Sequence, residues 1–185
     1  SQGKLKQGPN SIFSTGVFMF KILYPDLFVV SLADIPLLQL EAAGKKAFIL
    51  DLDNTVTEWN SNRITAEVDE WFTQIKARGF KACIISNNGA KRVQQVADIL
   101  GIPFISRAVK PRRGSFLRAV SLLGVKPEEA VVIGDQIFTD IMGGNRAGLF
   151  TILVEPIARR EFLGTKLSRI MEYFVLKQIK KHLDR

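Results

Sequence analysis

The stretch KAFILDLDNTVTEWN, residues 46–60, places an apolar run directly before two aspartates that a single leucine separates. A short apolar run that ends in polar residues is typical of a strand buried in a parallel sheet. Asp51 and Asp53 would then lie where this strand leaves the core. The stretch therefore predicts two carboxylates at the carboxyl end of a buried strand.

Around this stretch, short apolar runs alternate with helical patterns from residue 46 onward. This alternation predicts an α/β fold, a three-layer, doubly wound (Rossmann-like) parallel sheet with helices on both faces. The predicted strands are 46–51, 81–86, 103–106, 130–134 and 149–154, and the predicted helices, each followed by a glycine, are 66–78, 90–100 and 114–123.

The same pattern of strands and helices divides the chain into a core and its flanks. Residues 1–18 have no packing period and are interpreted as a tag remnant or a loose tail, and 19–44 as a helical flank. The core is predicted at 45–156, and a basic amphipathic helix at 157–185.

Composition limits the class of protein. The chain has 185 residues, 46% of them hydrophobic, which is enough for one domain with a sizeable core. No uninterrupted apolar segment approaches the roughly 20 residues that span a bilayer. The single cysteine, Cys83, excludes an intrachain disulfide and suits a reducing cytoplasm, so a cytoplasmic location is expected. The formal net charge of +8 favours anionic partners, and His182 lies in a charged tail, where surface placement is expected.

The predicted strands bring polar side chains to one edge of the sheet, because carboxyl ends of parallel strands meet there. The first strand delivers Asp51 and Asp53. The others, with their connections, deliver Ser86, Asn87, Asn88, Lys110, Asp135 and Asp140. Clustered carboxylates repel one another and need a cation to stay ionised, and oxygen ligands without histidine or cysteine favour Mg²⁺.

This combination predicts phosphoryl chemistry. A carboxylate on a metal ion beside a lysine can attack phosphorus and form an aspartyl phosphate. A carboxylate two residues further on can protonate the leaving alkoxide and then deprotonate the hydrolytic water. Ser86, Asn87 and Asn88 could also be simple loop residues, and Asp140 could cap a helix.

DLDNTV (51–56), IISN (84–87), VKPRR (109–113) and GDQIFTD (134–140) resemble, in the same order, the four motifs of the haloacid dehalogenase superfamily of phosphatases. The resemblance implies Asp51 as nucleophile and Asp53 as general acid/base, with its main-chain carbonyl on Mg²⁺. It implies Asp135 as a metal ligand supported by Asp140, with Ser86 and Lys110 on the phosphoryl oxygens. Thr55, Asn87 and Asn88 are further substrate-binding candidates.

The connections after the first and second motifs are too short for a cap domain, so an open site is expected. With YPDLFVVSLADI (24–35) and the KPRR form of the third motif, the chain is similar to the YqeG-type, class III branch of the superfamily. That branch resembles phosphatidylglycerophosphate phosphatases, which implies a lipid phosphate substrate. Arg112 and Arg113 could bind a second phosphate or be surface charges at a helix start.

Several alternatives stay open at this point. The basic stripe at 157–185 could contact an anionic membrane peripherally, or pack on the domain or on a second subunit in an oligomer. The substrate could instead be a soluble sugar phosphate or a nucleic-acid end, although the absence of an RNA-binding aromatic signature argues against nucleic acid. A non-enzymatic phospho-aspartate switch is the third alternative, and Asp53 argues against it.

Overall fold

The computed structural model describes residues 21–157. In this range the strands are β1 (Leu27–Val29), β2 (Ala47–Leu50), β3 (Lys81–Ile85), β4 (Phe104–Ile105), β5 (Ala130–Gly134) and β6 (Phe150–Val154). These six strands are parallel and form one sheet in the order β1-β6-β5-β2-β3-β4. The predicted fold class is confirmed, and each of the five predicted strands is present with its ends within one residue of the expected ones.

Helices cover both faces of the sheet. They are α1 (Leu37–Ala42), α2 (Ala66–Ala77), α3 (Ala90–Leu100), α4 (Arg113–Leu123) and α5 (Met142–Ala147). Phe48 and Leu50 of β2 belong to the apolar cluster that includes α1, α2 and α3. The alternate residues Ala47 and Ile49 belong to the cluster that includes α4 and α5. Because successive strand residues point to opposite faces, β2 is covered on both sides.

Local sequence explains where the helices begin and end. The Thr65 side chain accepts a hydrogen bond from the Val68 amide (3.3 Å) and caps the start of α2. Gly101 ends α3 with φ +64°, a left-handed conformation that glycine adopts without a steric penalty. The Phe48 ring packs on Trp71 of α2, with ring centroids 5.2 Å apart, and fixes this helix on the sheet.

The order of the strands reverses beside β2. The chain runs from β2 outward through β3 to β4, and then returns to the other side of β2 as β5. Such a reversal opens a crevice beyond the carboxyl ends of the two central strands. The fold therefore places residues 51–53 and 135 at the switch point of the sheet.

The amino-terminal flank departs from the prediction. Residues 19–44 were expected to be helical, and α1 does lie in this range, but Leu27–Val29 form the edge strand β1, which pairs in parallel with β6. The Asp26 carboxylate accepts hydrogen bonds from the amide (2.8 Å) and the hydroxyl (3.2 Å) of Thr151, which anchors the start of this strand. A short apolar run fits a buried helix and a strand equally well, so periodicity alone could not separate them.

A second departure follows β5. No helix is predicted between residues 134 and 149, yet the chain forms a π-helical turn at Ile137–Ile141 and then α5. Two glycines weaken the helical signal of α5. They are required by packing, because a Cβ on Gly143 would lie 2.2 Å from Phe116 Cε2.

Two predictions about the chain's organisation concern its ends and its connections. The predicted tail at 1–18 and all but the first residue of the predicted helix at 157–185 lie outside the described residues, and the predicted domain boundaries stay predictions. Within residues 21–157, the connections after β2 and β3 contain one helix each before the next strand, so this part of the chain carries no cap domain. No helix in that range is both long and apolar enough to cross a membrane.

Candidate active site

A tight loop after β2 sets the two aspartates of the first motif. The Asp51 amide donates to the Ile133 carbonyl (2.9 Å) and extends the pairing with β5 by one residue. The chain then turns at Asn54, whose φ is +59°, and the amides of Val56 and Thr57 both donate to the Leu52 carbonyl (3.0 Å each). Asp51 and Asp53 are buried at 6% and 5% exposure, so their carboxylates need partners.

Asp51 and Asp140 share one ammonium group. Lys110 Nζ lies 2.5 Å from Asp51 Oδ1 and 2.6 Å from Asp140 Oδ1, and all three residues are buried. Asn87 holds the lysine in place: the Lys110 amide donates to Asn87 Oδ1 (2.7 Å), and Asn87 Nδ2 donates to the Lys110 carbonyl (3.4 Å). The first, third and fourth motifs therefore meet at a single buried cation, which the second motif positions.

The fourth motif adds a third carboxylate. One carboxylate oxygen each of Asp51, Asp135 and Asp140 lie within 4.8 Å of one another. Asp140 reaches this position because the π-helical turn brings it back over Gly134, where a Cβ would lie 2.3 Å from Asp140 Cγ. The amide of Gln136 donates to the other Asp140 oxygen (3.2 Å). Gly134 is therefore needed for the close approach of Asp140.

These four side chains carry more negative than positive charge. Three buried carboxylates face one lysine, which leaves two negative charges when all are ionised. Burial raises the pKa of Asp51 to about 7; Lys110 opposes this shift and the Asp140 charge adds to it. Burial alone would lower the pKa of Lys110, but Asp140 and Asp51 hold it above its ordinary value. A divalent cation at the three carboxylates would restore neutrality, and their hard oxygen donors fit Mg²⁺.

Asp53 belongs to a separate hydrogen-bonded group. Its carboxylate lies 2.6 Å from Arg92 Nη2 and accepts a 2.9 Å hydrogen bond from Nη1. Asn88 Nδ2 also donates to it, as does the amide of Asn60 (3.1 Å). Arg92 Nη2 in turn donates to the Ser61 carbonyl (2.9 Å), which fixes the guanidinium. The Asp53 side chain is therefore oriented by α3 and lies outside the three-carboxylate cluster.

Sequence reasoning did not identify Arg92. Asn88 lies just before the N-cap of α3 and Arg92 lies in its first turn, and both side chains contact Asp53. A cation in the first turn of a helix interacts unfavourably with the helix dipole. This unfavourable position was the only feature of the sequence that could have identified Arg92. It indicates a tertiary partner, which the structure shows to be Asp53.

The other predicted residues lie around this centre. Ser86 is buried at the end of β3, and its Oγ accepts a hydrogen bond from the Asn88 amide (3.1 Å). Thr55 is also buried, and it lines a different cleft of about 340 Å³ together with Val30 and Ile157. Arg112 and Arg113 are exposed at the start of α4. The structure thus brings together Asp51, Lys110, Asp135 and Asp140, with Asp53 on the adjacent loop; Arg112 and Arg113 stay outside the buried cluster.

The fold, the four ordered motifs and the buried cluster define a phosphatase of the haloacid dehalogenase type. The model of the haloacid dehalogenase-like hydrolases matches residues 32–148, and the chain belongs to this family. It is 42% identical over 161 residues to the "Probable phosphatase YqeG" of Bacillus subtilis, covering 87% of this chain and 94% of that protein. This likeness confirms the YqeG-type resemblance.

More distant relatives share the same core. The chain is 27% identical to the phosphatidylglycerophosphate phosphatase 1 of Arabidopsis thaliana over 164 residues, 82% of this chain but 44% of that protein. Among solved structures, the cobalt-bound deoxy-D-mannose-octulosonate 8-phosphate phosphatase of Haemophilus influenzae superposes with a TM-score of 0.51 at 17% identity, covering 63% of this chain and 70% of that one. The superposition supports the fold assignment.

Proposed function

We propose that the protein is a Mg²⁺-dependent phosphomonoesterase that forms an aspartyl phosphate at Asp51, with a lipid phosphate such as phosphatidylglycerophosphate as its substrate. The observation that carries the chemistry is the Asp51–Lys110–Asp140 contact, with Nζ 2.5 and 2.6 Å from the two carboxylates. This contact supports the proposal because it holds the buried Asp51 carboxylate beside a fixed cation at the switch point of the sheet.

In the first half-reaction, an Asp51 oxygen forms a bond to phosphorus while the bond from phosphorus to the leaving-group oxygen breaks. Lys110 offsets the negative charge on the phosphoryl oxygens, and Ser86 is proposed to donate a hydrogen bond to one of them. Bound Mg²⁺ would supply further charge neutralisation at the transferring phosphoryl group. The residues proposed to hold it are Asp51, Asp135 and Asp140, with the main-chain carbonyl of Asp53.

Asp53 is proposed to handle the proton in both half-reactions. It protonates the leaving alkoxide in the first and takes a proton from the water that attacks the aspartyl phosphate in the second, a role that contributes about 10²–10⁴-fold in rate. Arg92 and Asn88 orient the carboxyl group for this transfer. They are therefore positioning residues for the acid/base.

The proposed lipid substrate is supported by a relative, by the open site and by the charge of the carboxyl-terminal segment. The similarity to a phosphatidylglycerophosphate phosphatase extends over 82% of this chain at 27% identity. A site without a cap inside the described core leaves room for a large substrate at a surface. The basic segment 157–185 would favour an anionic membrane, and peripheral contact there is part of the proposal.

The test is phosphate release, with Mg²⁺ and with EDTA, from phosphatidylglycerophosphate in vesicles, from soluble sugar phosphates and from 3′-phosphorylated oligonucleotides. Mg²⁺-dependent release from the lipid, absent in Asp51→Asn, is the expected result. A preference for a soluble ester would retain the mechanism and overturn the lipid assignment. Release that persists in EDTA would overturn the metal requirement.

A further inference from the structure

A cleft of about 450 Å³ opens directly beside the proposed acid/base. Asp53 forms part of its wall, together with Trp59, Asn88, Lys91, Arg92 and Arg107. An acid that protonates a leaving-group oxygen must touch that oxygen, so the leaving group has to occupy the space next to Asp53. The cleft is therefore the place where the part of the substrate beyond the scissile bond would lie.

The lining of this cleft is cationic. Three cations, Lys91, Arg92 and Arg107, face one acid, Asp53, which leaves an excess of two positive charges. Arg92 is engaged by Asp53. Lys91 and Arg107 are exposed and form no ion pair with any residue in the part of the chain that the structure describes. Two cationic side chains are thus available to an anionic ligand.

The backbone holds Arg107 in an unusual conformation at the rim of the cleft. Its φ is +47°, in the left-handed region that arginine rarely adopts, and its amide donates to the Asn88 carbonyl (3.0 Å). Residues held in such regions cluster at ligand-binding sites. Trp59 also lines the cleft, and this residue is 41% exposed and offers an apolar surface.

We infer that this cleft is a leaving-group subsite that selects phosphomonoesters carrying a second phosphate, which Lys91 and Arg107 bind while Trp59 contacts the carbon chain between the two phosphates. The inference rests on the proposed function, because it uses Asp53 as the acid. Arginine and lysine are the side chains that bind phosphate oxygens. Arg112 and Arg113, the residues first considered for a second phosphate, do not line this cleft.

The direct test measures binding without turnover. In the Asp51→Asn background with Mg²⁺, calorimetry compares two ligands. One is glycerol with a phosphomonoester at one end and a methyl phosphodiester at the other. The second has a neutral methyl ether in place of the diester. We expect the first to bind about tenfold more tightly, and Lys91→Gln or Arg107→Gln to reduce this preference by about three- to fivefold each, as for exposed ion pairs.

Arg118→Gln is the matched control, because it removes the same charge from an exposed position on α4, across the sheet from α3. It should leave the preference unchanged. Equal binding of the two ligands, or equal losses in all three variants, would overturn the subsite.

Turnover separates the subsite from the membrane and from the proposed function. With Asp51 intact, Lys91→Gln and Arg107→Gln should lower kcat/KM for two substrates alike. One is the soluble glycerol compound that carries a phosphomonoester and a methyl phosphodiester, and the other is phosphatidylglycerophosphate in vesicles. A loss confined to vesicles would mean that these cations bind the lipid surface, which contradicts the subsite. A binding preference that persists in a protein that hydrolyses neither compound would retain the subsite and refute the proposed reaction.

Discussion

Asp51→Asn should stabilise the metal-free protein at neutral and alkaline pH, although it removes the proposed nucleophile. The pKa of Asp51 lies at about 7 in the folded protein, against an ordinary value of 3.8. Because the folded value is the higher one, ionisation favours the unfolded chain, and the stability of the wild type falls as the pH rises from about 4 to 7. Asparagine has no charge to bury and avoids this loss.

The size of the effect follows from the two pKa values. At about 1.4 kcal/mol for each pH unit, the variant should gain about 2 kcal/mol at pH 5 and about 4 kcal/mol at pH 8 relative to the wild type, as an upper bound. Below pH 4 both proteins carry a neutral side chain, and the difference should vanish.

Asp53→Asn is the matched comparison, because the same substitution two residues away should have the opposite sign. The Asp53 carboxylate is held by Arg92 at 2.6 Å, and the guanidinium is 20% exposed. Removing the charge leaves a largely buried arginine without its acid, which should cost about 1–3 kcal/mol. The two variants thus test whether nearby protein groups offset the energetic cost of burying each carboxylate charge.

Urea unfolding in EDTA, followed by tryptophan fluorescence, to which the buried Trp71 contributes, measures both effects at pH 5 and pH 8. A lower stability of Asp51→Asn than of the wild type at pH 8, or the same difference at both pH values, would contradict an energetic penalty for the buried Asp51 charge.

Three further predictions concern the same cluster. Gly134→Ala should displace Asp140, because the new Cβ would lie 2.3 Å from Asp140 Cγ, and should destabilise the protein by about 2 kcal/mol or more; full stability and phosphate release in this variant would contradict the geometry. Lys110→Gln leaves Asp51 and Asp140 buried without their cation and should lower kcat by at least about 10²-fold; a kcat within threefold of the wild type would refute its role. Binding of Mg²⁺ should raise the Tm of the wild type by mass action, and Asp135→Asn should lose this increase. An equal increase in Tm for the variant would mean that the ion binds at another site.

The order of the core elements was predictable because buried parallel strands and amphipathic helices leave different patterns. β2 is apolar at four successive positions and is followed at once by polar residues, which is the pattern of a strand covered on both faces. The edge strand β1 was missed because three residues carry no usable period. Its pairing depends on Asp26 and Thr151, which are 125 residues apart in the chain.

The candidate site was predictable to the extent that strand ends converge at the switch point. The meeting of Asp51, Lys110 and Asp140 follows from that rule and is present in the structure. The close approach of Asp140 to Gly134 depends on the π-helical turn. The ion pair between Asp53 and Arg92 depends on the position of α3. Such contacts between distant segments are set by packing and leave little signal in a single sequence.

Covalent catalysis through Asp51 can be observed by mass spectrometry of Asp53→Asn, quenched after mixing with Mg²⁺ and an activated phosphomonoester whose leaving group departs without a proton from residue 53. Without the base that activates water, the second half-reaction should stall, and a phosphoryl group should be found on the peptide that contains Asp51. A peptide without phosphate, in a variant that still releases the alcohol, would contradict the covalent mechanism.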